Sequence, residues 1–524
     1  MTKAPPVFAR EATGLVREIS PWASFVAVFG LVTGGVPIVW VATMYTAPGA
    51  NWPLAFFIAF LPTLAFAGLF TIVGMSMPRS GGDYVFTTRA IGPYVGFVNY
   101  WGIAAAFILS NGIYGYYAGE YWAYLLAGLG AFYQNPSVAN LGVFLTTPPY
   151  SLYFTFALTI PVWLLAGARP RVAWTVVFWG GGVLTFFATV IMFAALWGIH
   201  APSFAASYNS FMGNATAYSA VISTGGIVPP SSMMLATAAA LPFAWYSYTW
   251  YNLPTSWSGE MKNVRKSMPI AIMAGIAAVA VYYIFFIVTV TQAFGQPFLD
   301  NWSSLAASGT APVPGIGGFV PFFALLVYKN VPLYVIMFLA LWAPNFFAGI
   351  ALVISQTRYL FAWAFDRILP DKVASVNERT HTPLVATFLV ACGATIGIAL
   401  MSLLPNSGEF ATLIFAISTF GFIIPAIAGV VFPFRKKEMY EAVFVGKKKL
   451  VLPLLSWLGI GSAIYLIFST YLAHVSGSLP TDSFTITAYV TIYAVGALVL
   501  VIAYFRNRRR GLPLDLVFKE IPPE

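Results

Sequence analysis

Few residues in this 524-residue chain are of kinds that catalyse reactions, and their spacing suits catalysis badly. The three histidines, His200, His381 and His474, stand far apart, and no His/Glu or Cys cluster has metal-ligand spacing. The single cysteine, Cys392, lies in an apolar run and reads as a buried, inert thiol. No enzyme, metal centre or cofactor is expected from this set. Binding chemistry remains. In FGLVTGGVP, Thr33, Gly34, Gly35 and Val36 lead into Pro37; in FAWYSYTWYNLP, Ser247, Thr249 and Asn252 interrupt an aromatic stretch ahead of Pro254. Glycine weakens a helix, and proline lacks an N–H and clashes with the preceding turn, so both stretches read as helix breaks. Exposed N–H groups at a helix start attract a carboxylate, and freed carbonyls attract an ammonium group, so a zwitterion suits such a break. The alternative for the first stretch is close helix packing at Gly34 and Gly35 with an ordinary kink at Pro37.

The elements that carry these stretches are membrane spans. With 59% hydrophobic and 8% charged residues and a mean hydropathy of +0.81, the chain lacks the polar surface of a soluble protein. A helix crosses roughly 30 Å of hydrocarbon with about 20 apolar residues. The sequence offers about twelve such runs, near 19–47, 52–77, 93–130, 149–166, 172–198, 231–257, 268–293, 320–360, 383–404, 410–434, 451–473 and 485–505. The formal charge of +10 would suit nucleic acid only if it were gathered on a soluble surface. Instead, with the N-terminus inside, every basic residue from Lys3 and Arg10 to Lys447, Lys448, Lys449 and Lys519 falls on the cytoplasmic side except Lys329. Nucleic acid is therefore not an expected partner, whereas membrane lipid is, and both termini are expected in the cytoplasm. The N-terminus lacks a signal-peptide pattern, so the first span is expected to act as an uncleaved insertion signal. Breaks in spans one and six, five spans apart, point to an inverted repeat with a binding site at the midplane.

Three segments carry a family resemblance. PRSGGDYVFTTRAIGPYVGF (78–97), GEMKNVRKSMPIAI (259–272) and SQTRYLFAWAFDRILPDK (355–372) resemble signatures of the amino acid-polyamine-organocation permeases, and with the spans they cover nearly the whole chain. The resemblance implies an all-α polytopic fold, a leucine-transporter-like pair of inverted five-helix repeats plus two helices, with helices one and six broken. On that reading 1–18 is an N-terminal segment, 19–198 and 231–434 are the repeats, 451–505 holds the last two helices and 506–524 is a tail. It implies secondary transport of amino acids or related amines across the cell membrane by alternating access, with proton-coupled uptake ahead of exchange, and a non-transporting sensor as a further alternative. Thr33, Gly34, Gly35, Val36, Asn111, Tyr246, Ser247, Tyr248, Thr249 and Trp250 would then contact substrate. Arg79, Arg89, Lys262, Arg358 and Asp366 would form a cytoplasmic gate, against the plainer role of interfacial anchoring. The chain also departs from the family pattern. Trp250 replaces a glycine of the sixth-helix break. FWGGGVL lacks the lysine that some proton-coupled relatives carry in the fifth helix. Ile350, Ala351, Leu352 and Val353 offer none of the hydroxyls that sodium-dependent relatives use.

Glu120 is the one acidic residue expected inside a span, where a carboxylate must be paired, hydrated or protonated. It reads either as a carrier of the coupling proton or as a vestibule carboxylate satisfied by tyrosine hydroxyls among Tyr114, Tyr116, Tyr117 and Tyr121. Asn345, Ser418 and Thr419 read equally as ligands or as helix-packing hydrogen bonds.

Overall fold

The computed structural model describes residues 14–227, 229–230, 232–404, 407–443, 452–475, 482–512 and 514–522. Lys3, Arg10, Lys447, Lys448 and Lys449 lie outside them. In chain order the helices used below are α1 (Pro21–Thr33), α2 (Val36–Thr43), α3 (Trp52–Ser76), α4 (Gly82–Ala90), α5 (Pro93–Phe132), α6 (Pro136–Thr146) and α7 (Tyr150–Ala166). They continue with α8 (Pro170–Trp197), α9 (Met233–Ser247), α10 (Val264–Phe294), α11 (Gln296–Ala307), α12 (Val320–Tyr328), α13 (Val331–Phe365) and α14 (Leu384–Leu403). Last come α15 (Ser407–Gly421), α16 (Ile423–Arg435), α17 (Leu454–Val475), α18 (Ser483–Arg509) and α19 (Leu514–Lys519). The protein is an all-α polytopic membrane protein: among the described residues ten helical stretches are long and apolar enough to span a bilayer, or eleven if α6 and α7, bent by 80°, form one span.

The break in the first span falls where glycine and proline place it. α1 begins at Ser20, whose hydroxyl accepts the Ala23 N–H at 3.1 Å, and runs to Thr33. The helix resumes at Val36, with Pro37 in the opening turn, where no N–H is needed. In the sixth span α9 stops at Ser247, and 248–263 continues as irregular backbone with two short 3₁₀ turns. Span eight differs from the expected 320–360. Lys329 turns the chain with φ 50°, and the Asn330 side chain caps the Leu333 N–H at 3.0 Å, so α12 and α13 are separate helices.

The core lies around α1, α5 and α13; Cys392 of α14, expected to be buried, is instead exposed. Every residue of α13 from Ala348 to Phe365 is buried, whereas α18 exposes Ile486, Val490, Leu498, Val501, Ile502 and Phe505, as a helix facing lipid does. Glycines let the inner helices touch. A Cβ on Gly112 of α5 would lie 2.1 Å from the carbonyl carbon of Gly397 of α14. The FWGGGVL stretch of α8 is a π-helical turn. Cβ atoms on Gly180 and Gly182 would meet Phe347 at 2.5 Å and Val26 at 2.7 Å, so these glycines seat α13 and α1.

The PRSGG turn has a similar explanation. Gly81 has φ 69°, donates its N–H to Ser256 O at 2.8 Å and leaves no room for a side chain beside Ala362. A Cβ on Gly82 would lie 2.4 Å from Thr255 O. Two glycines thus press α4 against both the irregular sixth-span segment and α13.

Candidate functional site

A cavity of about 100 Å³ lies at the two breaks. Val32, Gly35, Val36 and Val39 line it from the first span, Ser110, Ile113, Tyr114 and Tyr117 from α5, Phe243, Tyr246, Ser247 and Trp250 from the sixth span, and Asn345 from α13. No charged side chain is among them.

The broken first span presents two kinds of backbone group. Its carbonyls are largely taken: Tyr114 donates to Leu31 O, Tyr283 to Val32 O, and Tyr121 to Gly34 O at 3.1 Å. Its N–H groups are not. Those of Gly35 and Ile38, at the opening of α2, donate to no group among the described residues. Gly35 is half-buried and lines the cavity, so its N–H can meet a ligand acceptor, whereas Ile38 is not among the lining residues. Asn345 adds the opposite polarity. Its Nδ2 donates to Tyr114 O at 2.8 Å, while its buried Oδ1 has no partner among the described residues.

Of the ten residues expected at the substrate, the structure brings Gly35, Val36, Tyr246, Ser247 and Trp250 to this cavity. The other five lie elsewhere. Thr33 turns its hydroxyl back to Phe29 O, and Gly34 packs on α13, where a Cβ would sit 2.7 Å from the Asn345 Cα. Asn111 lines a smaller neighbouring cavity and donates to the Gln356 side chain. Tyr248 donates to Phe56 O at 3.2 Å, and Thr249 to Tyr246 O at 2.7 Å. Trp250 is unusual: its φ of 82° is the left-handed backbone that glycine adopts freely, and its ring packs 4.5 Å from Phe107 and 6.2 Å from Tyr114. Asn345, read from the sequence as either a ligand or a packing residue, lines the cavity, and Ser110, Tyr114 and Tyr117 reach it through helix packing, which local sequence does not reveal.

Outside the cavity lining lies a buried ion-pair cluster. Arg89 and Asp366 form a two-pronged pair at 2.7 Å, with the Tyr84 hydroxyl on Asp366 at 2.8 Å. Arg358 does not pair with Asp366. It forms a second two-pronged pair, at 2.7 Å, with Glu260, which was absent from the expected set. Lys262 is exposed, and its backbone N–H donates to Ile19 O. The tail covers the cluster: Arg79 Nε donates to Pro522 O at 2.7 Å, Arg89 Nε to Glu520 O at 3.2 Å, and the Phe518 ring lies 4.9 Å from the Arg89 guanidinium carbon. Asp83 is also fully buried here; its partners are Asn252, Tyr359 and the Tyr84 N–H.

Glu120 is half-buried and accepts the Tyr124 hydroxyl at 2.6 Å, outside the cavity lining. On the same side of the fold, Asp300 of α11 accepts the Gly49 N–H at 3.1 Å, while its Oδ1 is buried with no partner among the described residues. Among the described residues no group of three His, Cys, Asp or Glu side chains is arranged for a metal ion.

Comparison with known proteins agrees with this arrangement. Residues 19–500 match the family model described as amino acid permease. The chain is 23% identical over 433 residues to the branched-chain amino acid permease BcaP of Bacillus subtilis (strain 168), covering 81% of this chain and 82% of that protein.

Proposed function

The chain belongs to the amino acid permease family, within the amino acid-polyamine-organocation superfamily, and from that premise we propose that it carries a neutral amino acid with an apolar side chain, by alternating access coupled to protons. Amino acid transport by a multi-pass membrane protein is what the family does. The observation that carries the finer reading is the chemistry of the cavity: the free N–H group of Gly35 for a carboxylate, Asn345 Oδ1 for an ammonium group, and around them the apolar Val32, Val36, Val39, Ile113, Phe243 and Trp250 beside the uncharged Ser110, Tyr114, Tyr117, Tyr246 and Ser247. A cationic or acidic side chain would enter such a site without a counter-charge, at a cost of several kcal/mol. The name of the Bacillus relative supports the same substrate class.

The basic face is the cytoplasmic face of the cell membrane by the sorting of lysine and arginine, and the Arg89–Asp366 and Arg358–Glu260 pairs form the gate that closes it. The breaks in spans one and six support two inverted five-helix repeats, with α17 and α18 outside them. Exchange is the second reading, favoured by Gly180, Gly181 and Gly182, which put no titratable group into the fifth helix.

Uptake of radiolabelled leucine into proteoliposomes tests the proposal, with an imposed pH gradient, an imposed sodium gradient or leucine preloaded inside. Accumulation driven by the pH gradient is expected. Uptake only against preloaded leucine would establish an exchanger, and binding without flux in all three conditions would point to a sensor.

A further inference from the structure

Among the described residues three carboxylates are buried in the ion-pair cluster, and two of them have a cation. Asp366 is held by Arg89 and Glu260 by Arg358, both through two hydrogen bonds of 2.7 Å. Asp83 is fully buried and instead gathers neutral donors from three directions. Its Oδ1 accepts the Tyr84 N–H at 3.1 Å; its Oδ2 accepts the Asn252 amide at 3.1 Å and the Tyr359 hydroxyl at 3.0 Å. Tyr84 belongs to α4, Asn252 to the irregular segment of the sixth span, and Tyr359 to α13. The other titratable group facing Asp83 is Tyr100 of α5. The nearby arginines of the cluster, Arg89 and Arg358, are engaged by the other two acids. Asp83 is therefore the point at which three moving parts of a gate are tied by one group that can change charge.

We propose that Asp83 takes up and releases the coupling proton, and that its protonation unlatches the cytoplasmic gate; this rests on the proton-coupled reading above. As a carboxylate, Asp83 satisfies all three donors and holds α4, the sixth-span segment and α13 together. A proton on Oδ2, the oxygen that takes both the Asn252 and the Tyr359 donors, places an O–H where a donor pointed, so the Asn252 bond is lost or the Tyr359 hydroxyl must turn to accept. Asn252 lies two residues after Trp250, which lines the cavity, so the released segment is continuous with the substrate site. The proton enters from the cavity when that opens outward. It leaves to cytoplasmic water when the gate opens, and the restored carboxylate draws the Asn252 and Tyr359 donors back. One proton crosses per cycle, and no other reactant is needed. Burial without a counter-ion pushes the Asp83 carboxyl up to about 6 despite its donors, which puts the change of charge within reach of neutral pH. Glu120 is less suited to this role. Its one hydrogen-bonded side chain, Tyr124, is on its own helix, so its protonation unties nothing between elements.

The test compares wild type, Asp83→Asn, Asp83→Glu and Glu120→Gln in proteoliposomes with radiolabelled leucine. One assay measures accumulation under an imposed pH gradient, and the other measures counterflow exchange at equal pH on both sides. Asp83→Asn is expected to lose accumulation while exchange persists without pH dependence. Asp83→Glu should keep both activities with a shifted pH midpoint, and Glu120→Gln should keep accumulation. Accumulation by Asp83→Asn, or its loss in Glu120→Gln alone, would overturn the proposal. If Asp83→Asn is inert in both assays, Asp83→Glu decides: a shifted pH midpoint supports the proposal, and an unchanged one assigns Asp83 a purely structural role. A wild-type protein unresponsive to the pH gradient would remove the proton-coupled reading itself, and the proposal with it.

Discussion

The two broken spans are broken by different means. In the first, two small residues and Pro37 interrupt the helix, tyrosines from α5 and α10 accept the task of bonding its carbonyls, and the Gly35 N–H is left over for a ligand. In the sixth, bulky residues carry the chain through the break, Trp250 adopts a glycine backbone, and the following polar groups are consumed by the protein, Asn252 by Asp83 and Ser256 by Ser355. On the proposed reading, the first break offers backbone groups to the substrate, while the second lines the cavity with side chains and ties its polar groups to the ion-pair cluster.

Substitutions can break or sharpen that contrast. The largest effect is expected from Gly34→Ala, whose Cβ would lie 2.7 Å from the Asn345 Cα and 2.9 Å from Gly30 O, both backbone atoms that cannot swing aside. Overpacking of this kind costs about 1–3 kcal/mol, and leucine uptake should fall by roughly 10–100-fold. Gly35→Ala, which meets only the Tyr117 ring at 2.9 Å, should lose clearly less. Equal losses at the two positions would undo the distinction between packing and binding glycines. Next, Asn345→Ala removes the acceptor offered to the ammonium group, and KM for leucine should rise by roughly tenfold, as for a lost charge-assisted hydrogen bond. Trp250→Gly relaxes the left-handed backbone and opens the cavity floor. In competition assays it should shift preference toward larger side chains by roughly tenfold, the discrimination that a few methylenes supply.

The smallest effect concerns the far end of the first span, which α11 holds through Asp300 and Gly49. Burial raises the Asp300 carboxyl from its usual 3.8 to about 7, so the folded protein favours the protonated form. That contribution is complete below about 3.8 and is lost as pH rises through about 7. Asp300→Asn should therefore raise the Tm in detergent at pH 8 and leave it nearly unchanged at pH 4.

Much of the fold was legible because apolar length is a physical requirement of a bilayer. The structure follows the expected spans closely at Trp52–Ser76 and Pro93–Phe132. Where the apolar run continued through a boundary, as at Lys329 and Asn330, composition could not reveal a turn set by one backbone angle and one capping side chain. The site was legible where a local break marks it, at Gly35, Val36, Tyr246, Ser247 and Trp250. It was not legible at Tyr114 and Tyr117, which reach the cavity only after α5 packs against α1, whereas Asn345 stood out as a polar residue in an apolar span but with its role left open. The Arg358–Glu260 pair shows the same limit. Its members are 98 residues apart, and Glu260 was not in the expected gate set. Asp83 sat within PRSGGDY, but nothing local told that its side chain would be buried without a cation.

The central claim is that the Gly35 N–H freed at the first break holds a substrate carboxylate. Competition against radiolabelled leucine uptake by unlabelled leucine, leucine methyl ester and isoamylamine tests it most directly, because the three share an apolar side chain and an amine but only leucine has the carboxylate. The account predicts strong inhibition by leucine and little by the ester or the amine. Inhibition by isoamylamine equal to that by leucine would contradict it, and would place the recognition of substrate in the amine and the side chain alone.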